Sequence, residues 1–360
     1  MDEFARSDLA AECGGDTEGE GIRVRHTEAG GSHILRVQVR TKEAAQRIGK
    51  PVGCYVTVDC GDIRLLDESE LERVRCALGV EIREMAQRMC ERRVGKGFSL
   101  LVVGLGNAEI TPDAVGPETV RRLSVTRHLR HLDTALFSTV GLCEIAAVTP
   151  GVLGQTGLEA FEMVRGAARA VEPDLIIAVD ALAARSTERL ATTVQLSDTG
   201  IHPGSGIGNQ RRAINAETVG VPVMALGVPT VVDSSTLVYD ALRRAGCESL
   251  GEELRHSLEA GRGFFVSPKE IDLLVSAVGV LLAPGNIVDV VTATVLEIFI
   301  FFDITAPGGK LPLTFSRQRK FPALRRKAQF VEHHTEIHGV DPTDIFHRII
   351  GCIDPFDLIF

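Results

Sequence analysis

The chain has 360 residues, 44% of them hydrophobic, enough to bury a substantial core as one large domain or two smaller ones. Its formal net charge of -9 argues against a surface that grips nucleic acid through phosphates, which calls for clustered Lys and Arg. The eight cysteines form no CxxC pair and no spacing typical of a zinc site or a disulfide framework, so most of them read as small buried apolar residues.

Residues 1–31 are rich in Gly, Glu and Asp without sustained periodicity, which predicts a flexible leader. The acidic start lacks the basic region and apolar core of a secretory signal and points to the cytoplasm. Alternation over His33 to Arg40 and again from Tyr55 to Cys60, around a turn at Lys50 to Gly53, predicts two strands forming a hairpin-like edge. Leu71 to Arg93 carries apolar residues at helical spacing among Glu and Arg and predicts an amphipathic helix. The centre then alternates: a strand at Phe98 to Val103, a helix beginning at Pro117 to Leu123, a helix at Leu158 to Val171, strands at Leu175 to Val179 and Val221 to Leu226, and a helix at Asp233 to Arg244. This predicts an α/β fold, a mostly parallel central sheet flanked by helices, with an additional N-terminal β segment. The apolar stretch from Ile287 to Phe302 is shorter than a membrane span and contains Asp289 and Glu297, so it reads as a buried element, and no membrane association is expected. After Ala283 the texture changes to Pro, Gly, Phe and basic residues, which sets 32–283 apart as the α/β domain and 284–360 as an atypical extension.

Two of the predicted strands, Phe98 to Val103 and Leu175 to Val179, are apolar enough to be buried on both faces, and each empties into a turn carrying an aspartate: Asp113 and Asp180. Ligands of open parallel sheets bind beyond the carboxyl ends of the strands, so the two carboxylates can share one crevice. Thr111 reads as a helix cap, Pro112 as the first helical residue and Asp113 as a first-turn carboxylate kept ionised by the helix end. Either aspartate alone has a structural use, as a dipole partner or as an acceptor of turn amides. Together they suit acid/base chemistry, one activating water while the other holds or supplies the proton. His202 in DTGIHPGSGIGN is the natural third polar group: a hydrogen-bonding residue, a proton carrier, or the third ligand of an Asp/Asp/His metal site.

Other patterns carry less. GLGN at Gly104 to Asn107 lacks the third glycine of a dinucleotide fingerprint. Ser205 in GSGIG does not match the GxSxG nucleophile elbow, His334 and His338 lack the HExxH glutamate, and Cys143 has no activating neighbour in sequence. No cofactor and no metal are expected. Arg127, His128 and Arg185 near the motifs are candidates to pair the aspartates or contact acidic substrate positions, with surface salt bridges as the ordinary alternative.

At these residues the chain resembles the germination proteases of spore-forming bacteria. The likeness rests on RSDLAAE (Arg6 to Glu12), GKPVGCYVTVD (Gly49 to Asp59), LVVGLGNAEITPDAVGP, SVTRHL (Ser124 to Leu129), TPGVLGQTGLE (Thr149 to Glu159), PDLIIAVDALAARSTERL, LSDTGIHPGSGIGNQR, GVPVMALGVPTVVDSST and FFVSPKEID (Phe264 to Asp272), and covers Arg6 to Ala283. It implies a self-processing zymogen, a homotetramer and an α/β core similar to hydrogenase maturation endopeptidases. It further implies Asp113 and Asp180 as the catalytic pair and small acid-soluble spore proteins as substrates in the cytoplasm of the forespore or spore core, and leaves His202 and Arg185 as candidate accessory residues. Family substrates are cut after an acidic residue and before a large apolar one, in the pattern Glu, Phe or Ile, Ala, any residue, Glu. Ser7 to Glu12 resembles that pattern, which implies self-cleavage between Asp8 and Leu9 and a propeptide of residues 1–8. Two rival readings remain at this level: a metal-dependent maturation endopeptidase using Asp113, Asp180 and His202, and an α/β binding module without activity, for which the divergent C-terminus is the motive.

Overall fold

Strands pair in the order β1-β2-β3-β7-β8-β6-β4-β5 in a computed structural model that describes residues 6–13, 18–91, 97–132, 143–203, 212–247 and 249–282, with Phe4, Val94, Thr134 and Phe137. The strands are β1 (Ile22–Ala29), β2 (Ser32–Val39), β3 (Gly53–Asp59), β4 (Ser99–Gly104), β5 (Glu144–Val148), β6 (Leu175–Ala184), β7 (Thr193–Ser197), β8 (Val223–Asp233) and the short β9 (Phe265–Val266), which pairs with β8. The four strands β5, β4, β6 and β8 are mutually parallel, and β7, β3, β2 and β1 extend the sheet antiparallel from β8. The expected α/β architecture is present, its parallel core joined to an N-terminal β segment.

All six residues of β4 are buried, because helices cover both faces of the parallel core. On one face Leu100, Val102, Ile177 and Val179 pack with the helices Glu68–Cys90, Val115–Arg122 and Ile271–Leu282. On the other, Leu101, Val103, Ile176 and Ala178 pack with the helix Ala160–Val171. Each fully buried Leu, Val or Ile stabilises the fold by roughly 1.5–3 kcal/mol. The long helix begins with a capping box, in which the Glu70 amide donates to Asp67 at 2.8 Å and the Asp67 amide donates to Glu70 at 3.0 Å. It is tied to β2 by Arg36, whose guanidinium grips the buried carboxylate of Glu81 through two nitrogens.

The structure departs from the sequence expectations in several places. The flexible leader expected over 1–31 gives way to β1 at Ile22–Ala29, whose mixed polar side chains hide a strand paired along its whole length with β2, and to Ala10–Cys13, a 3-10 turn packed on the sheet. β6 does not end at Val179: it continues to Ala184, so Asp180 lies inside the strand rather than in a following turn. Continued pairing with β8, through a shift in register after Leu182, sustains the extension. Finally, Thr111 is not the cap of the following helix. Thr111–Asp113 form a separate 3-10 turn without a side-chain cap, and the helix starts at Val115. Among the described residues no helix is long and apolar enough to cross a membrane. Ser205, His334, His338, the stretch from Ile287 to Phe302 and the whole extension 284–360 lie outside the described residues.

Candidate active site

Asp113 is built into the corner that leaves β4. The chain turns at Gly106, whose φ of +112° is open only to glycine, and a Cβ there would collide with the Asp113 carbonyl. The half-buried carboxylate of Asp113 accepts the Asn107 amide at 2.8 Å, closing the loop on itself. The Asp113 amide donates to the Ile110 carbonyl at 2.8 Å, and Thr230 on β8, fully buried, donates its hydroxyl to the Pro112 carbonyl at 2.7 Å. The turn is thereby pinned across the ends of the parallel strands. Asn107 contributes further, accepting from the Glu109 amide and from Gln155 through its side-chain oxygen.

Asp180 stands on the neighbouring strand, one residue beyond Val179, which pairs with Gly104. The Val179 carbonyl accepts the Leu105 amide at 2.8 Å, and Gly116 packs so tightly over both that a Cβ on it would overlap Leu105 and Val179 backbone atoms. The two aspartates therefore flank one backbone junction, Asp180 directly after Val179 and Asp113 folded onto the Gly106–Asn107 turn that follows Leu105. Asp180 is 7% exposed, and one of its oxygens accepts the Ala181 amide at 2.9 Å.

The same row of the sheet continues through Gly227 on β8 to Gln195 on β7, each in register with the next. In-register residues of adjacent strands project from the same face, so Asp180 and Gln195 share a face with a residue lacking a side chain between them. The side chain of Leu182 lies over that glycine.

The N-terminal segment runs over this face. The Asp8 amide donates to the Ala183 carbonyl at 2.8 Å, and the Asp8 carboxylate accepts the Ala183 amide at 2.9 Å. Gln195 donates its side-chain amide to the Asp8 carbonyl at 3.1 Å and accepts the Ala10 amide at 2.8 Å. Leu9 is 0% exposed, packed with Leu182, Ala184 and Val232. Glu12 accepts the Arg185 amide at 2.7 Å and the Ser186 amide at 2.9 Å, one on each oxygen.

The other candidate residues are placed elsewhere. His202 is exposed and follows Ile201, which bridges Ile214. Among the described residues no three His, Cys, Asp or Glu side chains gather as a metal-holding group, so Asp113, Asp180 and His202 do not form the Asp/Asp/His centre that the metal-dependent reading requires. The Arg185 guanidinium reaches Asp240 at 3.1 Å, and Arg127 reaches Glu144 at 3.1 Å. Cys143 is buried, which pushes its thiol up to about 12, a value unsuited to a nucleophile. Gln195, Asn107 and Thr230 were not singled out in the sequence. In TVQLS the polar Thr193, Gln195 and Ser197 alternate with Val194 and Leu196, the ordinary pattern of a strand with one apolar face, so nothing local distinguishes Gln195.

The sequence profile of the family described as germination protease matches residues 3–262. The chain belongs to the germination protease family. The germination protease of Caldanaerobacter subterraneus is 38% identical over 305 residues, covering 78% of this chain and 92% of that protein. That of Priestia megaterium is 41% identical over 248 residues, 66% of each chain. As a germination protease the chain is a hydrolase, an endopeptidase of spore germination that acts on protein substrates. A solved structure of the NiFe hydrogenase maturation protease HycI from Thermococcus kodakarensis aligns over 55% of this chain and 93% of its own at 16% identity, with a TM-score of 0.30, too low to add to what the strand pairing of this germination protease shows.

Proposed function

We propose that this germination protease opens the degradation of small acid-soluble spore proteins, using Asp113 and Asp180 as its acid/base pair, and that it is made as a zymogen which trims its own leader between Asp8 and Leu9. A water molecule between the carboxylates attacks the peptide carbonyl. One aspartate takes the proton from that water, and the other protonates the departing amine, so the bond is broken without a covalent enzyme intermediate. A homotetramer in the cytoplasm of the forespore or spore core, a propeptide of residues 1–8 and a separate extension over 284–360 belong to the same reading.

The observation that carries it is the position of the two aspartates on either side of the Leu105–Val179 junction, Asp113 in the turn that leaves β4 and Asp180 within the adjacent parallel strand β6, in a chain of this family. His202 and Arg185 are accessory in this reading, Arg185 as part of the segment that holds the leader. The test is incubation of a small acid-soluble spore protein with wild type, Asp113→Asn and Asp180→Asn. Loss of cleavage in both variants supports the pair; cleavage by all three alike removes it. A chain that binds the spore protein with no cleavage, even as wild type, is instead a binding module.

A further inference from the structure

We infer that Gln195 is a catalytic residue: its side-chain N–H holds the oxyanion that forms when the bond after Asp8 is attacked, and does the same at the matching carbonyl of protein substrates. The assignment rests on the two-aspartate endopeptidase reading and on cleavage between Asp8 and Leu9.

Gln195 is buried in the middle of β7, in the row of the sheet that passes through Gly227 to Asp180. The polypeptide over that row is suspended between two strands. On the β6 side Asp8 is held twice, its amide on the Ala183 carbonyl and its carboxylate on the Ala183 amide. Its carbonyl turns the other way, to β7, where Nε2 of Gln195 donates to it at 3.1 Å. Two residues later the Ala10 amide donates to Oε1 of the same side chain at 2.8 Å. Only the oxygen of a carboxamide accepts an N–H, so this bond fixes which way Gln195 faces and leaves its NH2 on the Asp8 carbonyl. Beyond the bond, Leu9 is locked in a slot walled by Leu182, Ala184 and Val232. The carbonyl of the bond to be cut is the one that a fixed, neutral donor already touches.

When water adds to that carbonyl carbon, the π pair of the C=O bond moves onto its oxygen, and the acceptor facing Nε2 changes from neutral to charged. Hydrogen bonds to a charged acceptor are shorter and roughly twice as strong. Stabilisation that grows toward the transition state speeds the chemical step instead of merely tightening binding. On collapse the pair returns to form C=O, the C–N bond breaks, and the Leu9 nitrogen leaves with the proton supplied by the acidic aspartate. A carboxamide suits this place because, unlike Lys or Arg, it brings no charge that would hold Asp180 in its ionised form.

The test is Gln195→Glu in the full-length chain, followed by intact mass for the rate of self-trimming and by hydrogen exchange over residues 6–12 for the seat of the leader. Glutamate keeps an acceptor for the Ala10 amide and, when ionised, has no donor for the Asp8 carbonyl. Trimming near neutral pH is expected to slow by about 10²–10³ with the leader as well protected as in wild type. As pH falls toward about 4 the new carboxyl regains a proton and with it a donor, so the rate relative to wild type at the same pH should recover. A residue that only seats the leader would show neither effect. Trimming at the wild-type rate, or slow trimming that comes with lost protection and does not recover at low pH, overturns the inference. Asp113→Asn and Asp180→Asn chains that trim like wild type while Gln195→Glu stays slow would sink the aspartate pair and leave Gln195 standing; a wild-type chain cut at any other bond overturns both.

Discussion

Asp180 and Gln195 lie in register across Gly227, so that a carboxylate and a carboxamide face the same side of the sheet with their Cα atoms about 10 Å apart. The gap is covered by Leu182, which also walls the slot for Leu9. A methyl group on Gly227 would push directly into Leu182. Gly227→Ala is expected to destabilise the fold by about 1–3 kcal/mol as an overpacked core does, and to loosen the leader. A thermal melt together with limited proteolysis of the N-terminus checks both; unchanged proteolysis would mean that Leu182 does not transmit the clash.

Asp113→Asn and Asp180→Asn are each expected to lower proteolysis by about 10²–10⁴, the range of a lost acid or base. Asn keeps an acceptor for the Asn107 amide at position 113 and for the Ala181 amide at position 180, so both variants should melt close to wild type. Activity measured beside a melt separates chemistry from folding, and a large fall in melting temperature would assign the aspartates to structure.

The leader should be lost as one defined piece. Intact-mass measurement under activating conditions is expected to show removal of the first eight residues, with Gln195→Leu slowing the process on the order of 10²-fold because the Asp8 carbonyl loses its donor. A variant that trims itself at the wild-type rate would show that Gln195 only seats the leader.

The ion pair between β2 and the long helix, in which Glu81 is buried and Arg36 half-buried, is a separate point of stability. Glu81→Ala strands the Arg36 guanidinium against the sheet and is expected to cost about 3–5 kcal/mol, read from denaturant unfolding. A cost within experimental error of zero would mean that Arg36 swings into solvent.

What the sequence made legible was what local pattern controls. The runs that became β4 and β6 are apolar on both faces, and the helix Glu68–Cys90 shows a helical period, so these elements could be placed within a few residues. Asp113 and Asp180 were visible because each follows such a run. β1 was not legible: its residues alternate weakly, and its existence depends on pairing with β2. Nor was the end of β6, since ALAA after Asp180 suits a strand or a helix equally until β8 and the leader cover it. The role of Gln195 was hidden for the same reason, because only the topology sets β7 beside β8 and only the folded leader gives the carboxamide its partner.

Asp198 supplies a pH signature. Its carboxylate accepts the Cys54 amide at 2.7 Å at the start of β3, and burial raises its pKa above the ordinary range against the opposing pull of that amide and of Arg88. A carboxyl group whose folded pKa is raised contributes stability that is complete below its unfolded pKa and is lost as pH rises through the folded value, because the native state must then hold a charge it disfavours. Asn offers the same acceptor to Cys54 and cannot ionise. The melting temperature of Asp198→Asn relative to wild type should therefore climb over the window that opens at about pH 4, the ordinary aspartate value, and closes at the raised folded value. A difference that stays flat over that window would show that the charge on Asp198 is already compensated, with Arg88, the cation that opposes the shift, to test by Arg88→Gln.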